Sequence, residues 1–162
     1  MTSVEYLGNI VSKGGVSTDP GKVEARKSWL RPYILKELRG FLGLKGYYRK
    51  FVKRYGIISK PLKEQLKKGG WNWGQEEDMA FEQLKSAMTH APVLALPYFL
   101  KTFLLEKDAC DVGIGAVLMQ DGRPLSYLSK ALGIKNRGLS TYEKSSDSKI
   151  ICDLQIPIVR RP

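Results

Sequence analysis

Leu35-Lys-Glu-Leu-Arg-Gly-Phe-Leu-Gly-Leu-Lys-Gly-Tyr-Tyr-Arg-Lys-Phe-Val-Lys-Arg-Tyr55 is the stretch on which the reading of this chain turns. At 100° per residue, Phe41, Leu44, Tyr48, Phe51, Val52 and Tyr55 fall within one arc, which predicts an amphipathic helix over 35–55. Lys36, Arg39, Arg49, Lys50, Lys53 and Arg54 fall on the other side. Gly40, Gly43 and Gly46 recur every third residue and project onto that basic side. Each glycine costs about 1 kcal/mol of helix stability relative to alanine. Two readings follow. Either the glycines let a phosphodiester backbone approach while Lys and Arg neutralise it, or they divide two shorter helices whose charged face is merely solvated.

Outward from this segment, charge favours the first reading. The 162 residues carry 27 Lys and Arg against 16 Asp and Glu, a net charge of +11. Residues 1–60 hold 13 of the basic and 4 of the acidic side chains, so the positive field belongs to the first third. A surplus of this size points to a polyanion, an anionic membrane surface, or solubility alone. Hydrophobic residues make up 43% of the chain, enough for a packed core. The most apolar stretch, Val93 to Leu105, is broken by Pro97 and Lys101 and is too short to span a bilayer. No membrane partner is expected. The first residues show no signal-peptide pattern, and Cys110 and Cys152 lack CxxC spacing, so an intracellular, unsecreted protein is expected.

Before the central segment, Val4 to Val11 is rich in β-formers and Gly14-Gly15 follows as a turn, which predicts a short strand or hairpin. Asp19-Pro20 opens a helix to about Trp29, with Asp19 capping and Pro20 at the first helical position. After the segment, Ser59 to Lys68 gives a short helix ending at Gly69-Gly70. Trp71-Asn72-Trp73 makes an aromatic turn, expected to pack between helices rather than to stack on bases. Gln75 to Met88 is helical, with Met79, Ala80, Leu84 and Met88 on one face, and the lone His90 at its end reads as structural. Past Pro97 the period shortens to two. Thr102–Glu106, Gly113–Met119 and Pro124–Ser129 read as three strands, the last two joined by the hairpin signal Asp121-Gly122. A domain boundary is expected near residues 91–98.

In order, Val4-Glu-Tyr-Leu-Gly8, Leu38-Arg-Gly-Phe-Leu-Gly-Leu44, Gly46-Tyr-Tyr-Arg-Lys-Phe51, Ala91-Pro-Val-Leu-Ala-Leu-Pro97, Asp108-Ala, Gly113-Ile-Gly-Ala-Val-Leu118, Tyr127-Leu-Ser-Lys-Ala-Leu132 and Leu139-Ser-Thr-Tyr-Glu143 resemble the reverse transcriptase of gypsy-type LTR retrotransposons, plant elements most closely. The resemblance implies an α+β chain, a helical thumb-like region followed by an incomplete antiparallel RNase H-like sheet of three strands. Residues 1–17 would end the polymerase palm, 18–92 would form thumb and connection, 98–144 a truncated RNase H-like domain, and 145–162 a divergent tail. It also implies a nucleic-acid partner, primer–template duplex or RNA–DNA hybrid, held by Lys36, Arg39, Gly43, Lys50, Lys53 and Arg54.

Chemistry is not expected. The family's polymerase aspartates lie in an Asp-Asp hairpin, and this chain has no Asp-Asp pair. Its RNase H uses magnesium held by several carboxylates. Asp108 matches the first of these, whereas the position of the second, two residues after Glu143, is Ser145. One carboxylate cannot offset the mutual repulsion of two divalent ions, so no metal and no cofactor is expected, with Asp108 a lone catalytic remnant. Ser145-Ser-Asp-Ser-Lys149 also interrupts the helix that the family places after Tyr142-Glu143. Two alternatives stay open: an inert pseudogene product, and a residual ribonuclease H that recruits Glu143, Asp147 or a partner chain.

Overall fold

A computed structural model describes residues 3–6, 8–43, 48–67, 71–110 and 112–133. Glu143, Ser145, Asp147, Cys152 and the tail, on which several expectations rested, lie outside the described residues, as do Leu44, Gly46 and Gly69-Gly70.

The chain opens with a three-stranded antiparallel meander, β1 (Val4–Tyr6), β2 (Asn9–Ser12) and β3 (Gly15–Thr18). Of the strand or hairpin expected over Val4–Val11, the hairpin forms, because Gly8 adopts φ +74° and turns the chain between β1 and β2. Helix α1 (Pro20–Lys27) follows as expected, with the Asp19 carboxylate accepting from the Gly21 N–H at 2.8 Å.

Helix α2 (Leu35–Gly43) turns Leu38, Phe41 and Leu42 inward. It is not the long helix expected to reach Tyr55. Beyond it the described chain resumes at Tyr48, makes a 3-10 turn over Arg49–Phe51, extends at Val52, and turns at Arg54, whose φ is +61°. Two short helices follow, α3 (Tyr55–Ile58) and α4 (Lys60–Gln65). The glycine-free part of the segment, Tyr48–Tyr55, therefore does not continue as one helix. Tyr48, Phe51, Val52 and Tyr55 are all buried, and their packing decides the backbone where helix propensity does not.

Helix α5 (Gln75–Thr89) is the longest of the described elements. Gly74 precedes it, and the Glu77 side chain reaches back to accept from the Gly74 N–H at 2.9 Å, with three acidic residues in the first turn facing the helix dipole. Its buried face is Glu77, Ala80, Phe81, Leu84 and Met88. Met79, expected on that face, is exposed, and Phe81 fills the core instead. Phe41 and Phe81 meet with ring centroids 4.7 Å apart, Trp29 packs on Phe41, and Trp71 stacks on Trp73 at 5.2 Å against the same core. The tryptophans pack, as the sequence suggested.

The second sheet is antiparallel in the order β4 (Leu104–Cys110), β5 (Gly113–Gln120), β6 (Arg123–Ala131). Strands β5 and β6 run somewhat longer than their expected ranges, while β4 starts two residues later than the expected Thr102 and ends four later than Glu106. Asp121 and Gly122 both take positive φ, +51° and +71°, as a two-residue hairpin turn of the I′ kind requires.

Ser129 on β6 joins the sheet to the helices. Its hydroxyl accepts from the Gly56 N–H at 2.6 Å, and its carbonyl accepts from the Arg49 guanidinium at 2.9 Å. A Cβ on Gly56 would stand 2.6 Å from that carbonyl oxygen, so the close approach of α3 to β6 requires glycine there. Leu94 ties the sheets together along the chain: it exchanges backbone hydrogen bonds with Val16 on β3, while the next N–H, of Ala95, donates to the Pro124 carbonyl.

Candidate nucleic-acid interface

Because α2 buries every third or fourth residue, Lys36 and Arg39 come out on its solvent side. Gly40 and Gly43 are exposed too, and a Cβ at either would meet no atom within 4 Å. Packing among the described residues therefore gives no reason for glycine at these positions. The outward side of α2 is a low, cationic surface that a ligand can approach closely.

Lys50 behaves differently. It is half-buried on the 3-10 turn with its amine 5.0 Å from the centroid of the Phe51 ring, and burial draws its pKa below the ordinary lysine value. Part of its charge is thus engaged with the core. Lys53 and Arg54 are exposed at the end of that turn, where the left-handed Arg54 re-aims the chain.

These two cations and Asp108 come together, which the spacing alone did not show. They line one cavity of about 120 Å³ with Glu106 and Lys107 of β4 and Tyr127 of β6. Asp108 is exposed and stands opposite Gly115 of β5. Glu106 shares its side of the strand through the two-residue repeat, a neighbour that the alternation of β4 would have given. At the edge of this group the Arg54 guanidinium donates to the Cys110 sulfur at 3.3 Å. Burial pushes the Cys110 thiol up, but backbone hydrogen bonds at Val112 and Gly113 and the Arg54 charge outweigh it and hold the thiol below its ordinary value.

The cavity's side chains match magnesium poorly. Two carboxylates, Glu106 and Asp108, face three cations, Lys53, Arg54 and Lys107, so the local charge opposes a pair of divalent ions. Among the described residues, no three His, Cys, Asp or Glu side chains are grouped to hold a metal ion. Also among them, no helix is long and apolar enough to cross a membrane.

Residues 73–148 match the family model of the RNase H-like domain found in reverse transcriptase. The match begins at Trp73, so it takes in α5 as well as the second sheet. The retrovirus-related Pol polyprotein from transposon 297 of Drosophila melanogaster is 43% identical over 141 residues, covering 86% of this chain and 13% of that protein. The Pol polyprotein from transposon gypsy of the same organism is 37% identical over 155 residues, covering 88% and 15%. An uncharacterized mitochondrial protein of Arabidopsis thaliana is 54% identical over 96 residues, covering 58% and 61%. The chain thus spans less than two thirds of each of these relatives. In fold it is similar to the foamy viral protease–reverse transcriptase solved with double-stranded DNA, at TM-score 0.80, 24% identity, and coverage of 88% of this chain and 26% of that one. The same viral protein solved with an RNA/DNA hybrid gives a TM-score of 0.79 at 23% identity, covering 88% of this chain and 20% of that one. By sequence, then, the chain is homologous to part of retrotransposon Pol polyproteins, and its residues 73–148 match the RNase H-like domain found in reverse transcriptase.

Proposed function

We propose that this chain, corresponding to the thumb, connection and early RNase H region of a retrotransposon reverse transcriptase, holds duplex nucleic acid inside the cell and catalyses nothing. One observation carries the reading: α2 presents Lys36 and Arg39 beside two exposed glycines at which, among the described residues, a Cβ would meet no atom within 4 Å. Lys53 and Arg54 extend the cationic surface toward the second sheet. The foamy viral protein of similar fold was solved on double-stranded DNA and on an RNA/DNA hybrid, which agrees with such a partner. The absence of chemistry at Asp108 rests on Ser145 where the family's carboxylate would stand, and on the cations around Asp108. No magnesium is required for binding.

Fluorescence anisotropy on a labelled RNA–DNA hybrid tests this directly. The chain should bind, and its affinity should fall steeply with salt, because each neutralised phosphate contributes a slope of about −0.9 in log K against log salt. Lys36→Gln with Arg39→Gln should reduce that slope by about two. An unchanged slope removes α2 from the interface, and no binding at low salt by folded protein leaves an inert relic as the account. A residual nuclease is the second reading, favoured only by Glu106 beside Asp108. Magnesium-dependent cleavage of the hybrid that disappears in Asp108→Asn would establish it.

A further inference from the structure

A second basic concavity lies away from α2, where α4 meets the end of β6. It is a groove of about 490 Å³, lined by Arg49, Lys60, Lys63, Lys67 and Lys130 with Glu64 as the one carboxylate. Lys60 and Lys63 lie one turn apart on α4, Lys67 follows in the turn just past its end, and Lys130 is brought to them by β6. Among the lining residues, cations outnumber carboxylates five to one in this groove, against three to two in the Asp108 cavity.

Two of its charges are fixed in advance. The Arg49 guanidinium donates to the Ser129 carbonyl at 2.9 Å, and the Lys60 amine donates to the Leu132 carbonyl at 3.1 Å. Lys63 is braced over the Tyr55 ring, its nitrogen 5.5 Å from the centroid. Side chains held this way lose little freedom when a ligand arrives. Five like charges in one concave surface repel one another, and the low-dielectric walls of a groove strengthen the field they make. An anion bearing several negative oxygens relieves that repulsion.

We propose that this groove is a phosphate-binding site, separate from the α2 surface. It takes adjacent phosphate groups, either of a nucleic-acid backbone or of a free oligophosphate. Only the first source rests on the nucleic-acid reading above. Pyrophosphate and the labelled RNA–DNA hybrid serve as the two probes, pyrophosphate followed by titration calorimetry and the hybrid by anisotropy. The variants are Lys63→Gln with Lys67→Gln, and Lys67→Glu alone, whose exposed position spares the packing on Tyr55.

If backbone phosphates occupy the groove, the double variant lowers hybrid affinity about tenfold at moderate salt and reduces the salt slope by about two. Lys67→Glu lowers both in the same direction. If wild type binds pyrophosphate but not the hybrid, and the variants lose that binding, the groove stands with free oligophosphate as its ligand, and the nucleic-acid reading falls. If hybrid binding and its slope are unchanged in both variants and pyrophosphate does not bind, the groove proposal is overturned while the α2 interface survives.

Discussion

Tyr55 shows how one residue can set a condition on the fold. Its ring is buried to 2% exposure, and the loss of water around the phenol pushes its pKa up to about 12 from the ordinary 10, with the Arg49 charge opposing only in part. The native state therefore keeps a proton that the unfolded chain gives up. Its stabilisation is intact below pH 10 and is lost as pH rises toward 12, by about 2 kcal/mol for that span. Urea unfolding between pH 9 and 12 should show this decline, and Tyr55→Phe should flatten it. An equally steep decline in the variant would assign the effect to other groups. Residues also mark how far the sequence can be read. The basic set from Lys36 to Arg54 was legible as a pattern, but Lys50 turns partly into the core because Phe51 lies beneath it. Lys60, Lys63 and Lys67 could have been found by their spacing, whereas Lys130 joins them only through tertiary packing.

Elements were legible where their ends carry their own chemistry. Helix α1 has Asp19 and Pro20, the β5–β6 hairpin has Asp121-Gly122, and α5 has an acidic first turn. Helix α5 is stabilised further by a contact that the spacing did not suggest. Besides accepting from the Gly74 N–H, Glu77 accepts from the Gln65 amide at 2.5 Å, and the Gln65 carbonyl in turn accepts from the Asn72 N–H at 3.2 Å. The start of α5 is therefore pinned to the end of α4 by a buried polar relay. Glu77→Ala would strip the cap and leave the Gln65 amide unpaired, at a cost of about 1–3 kcal/mol. Thermal unfolding should register the loss as a drop of several degrees, and a melting temperature unchanged from wild type would show the relay to be dispensable. The segment from Leu35 to Tyr55 failed as a single helix for the opposite reason. It has no internal stop signal at Val52–Arg54, and the turn there follows from where Phe51 and Tyr55 must pack.

At the scale of the molecule, the two small sheets are linked through the backbone hydrogen bonds of Leu94 with Val16 and of Ala95 with Pro124. The general α+β character was legible, because the shift from helical to strand period after Pro97 is plain. The seam was not, since nothing local announces that Val16 pairs with Leu94, or that the Arg123 guanidinium donates to the Gly14 carbonyl 109 positions away. That seam has a kinetic meaning. The hairpins β1–β2–β3 and β4–β5–β6 close loops of a few residues and can form on the microsecond scale. Joining them closes a far longer loop, whose entropic cost must be met before its contacts return anything. The molecule should thus assemble as two local hairpin systems that recognise each other late, with Val16 and Leu94 as the latch. In a pulse-labelling refolding experiment, the amides of Val117 and Leu118 should gain protection before those of Val16 and Leu94. Simultaneous protection would mean instead that the latch belongs to the folding nucleus.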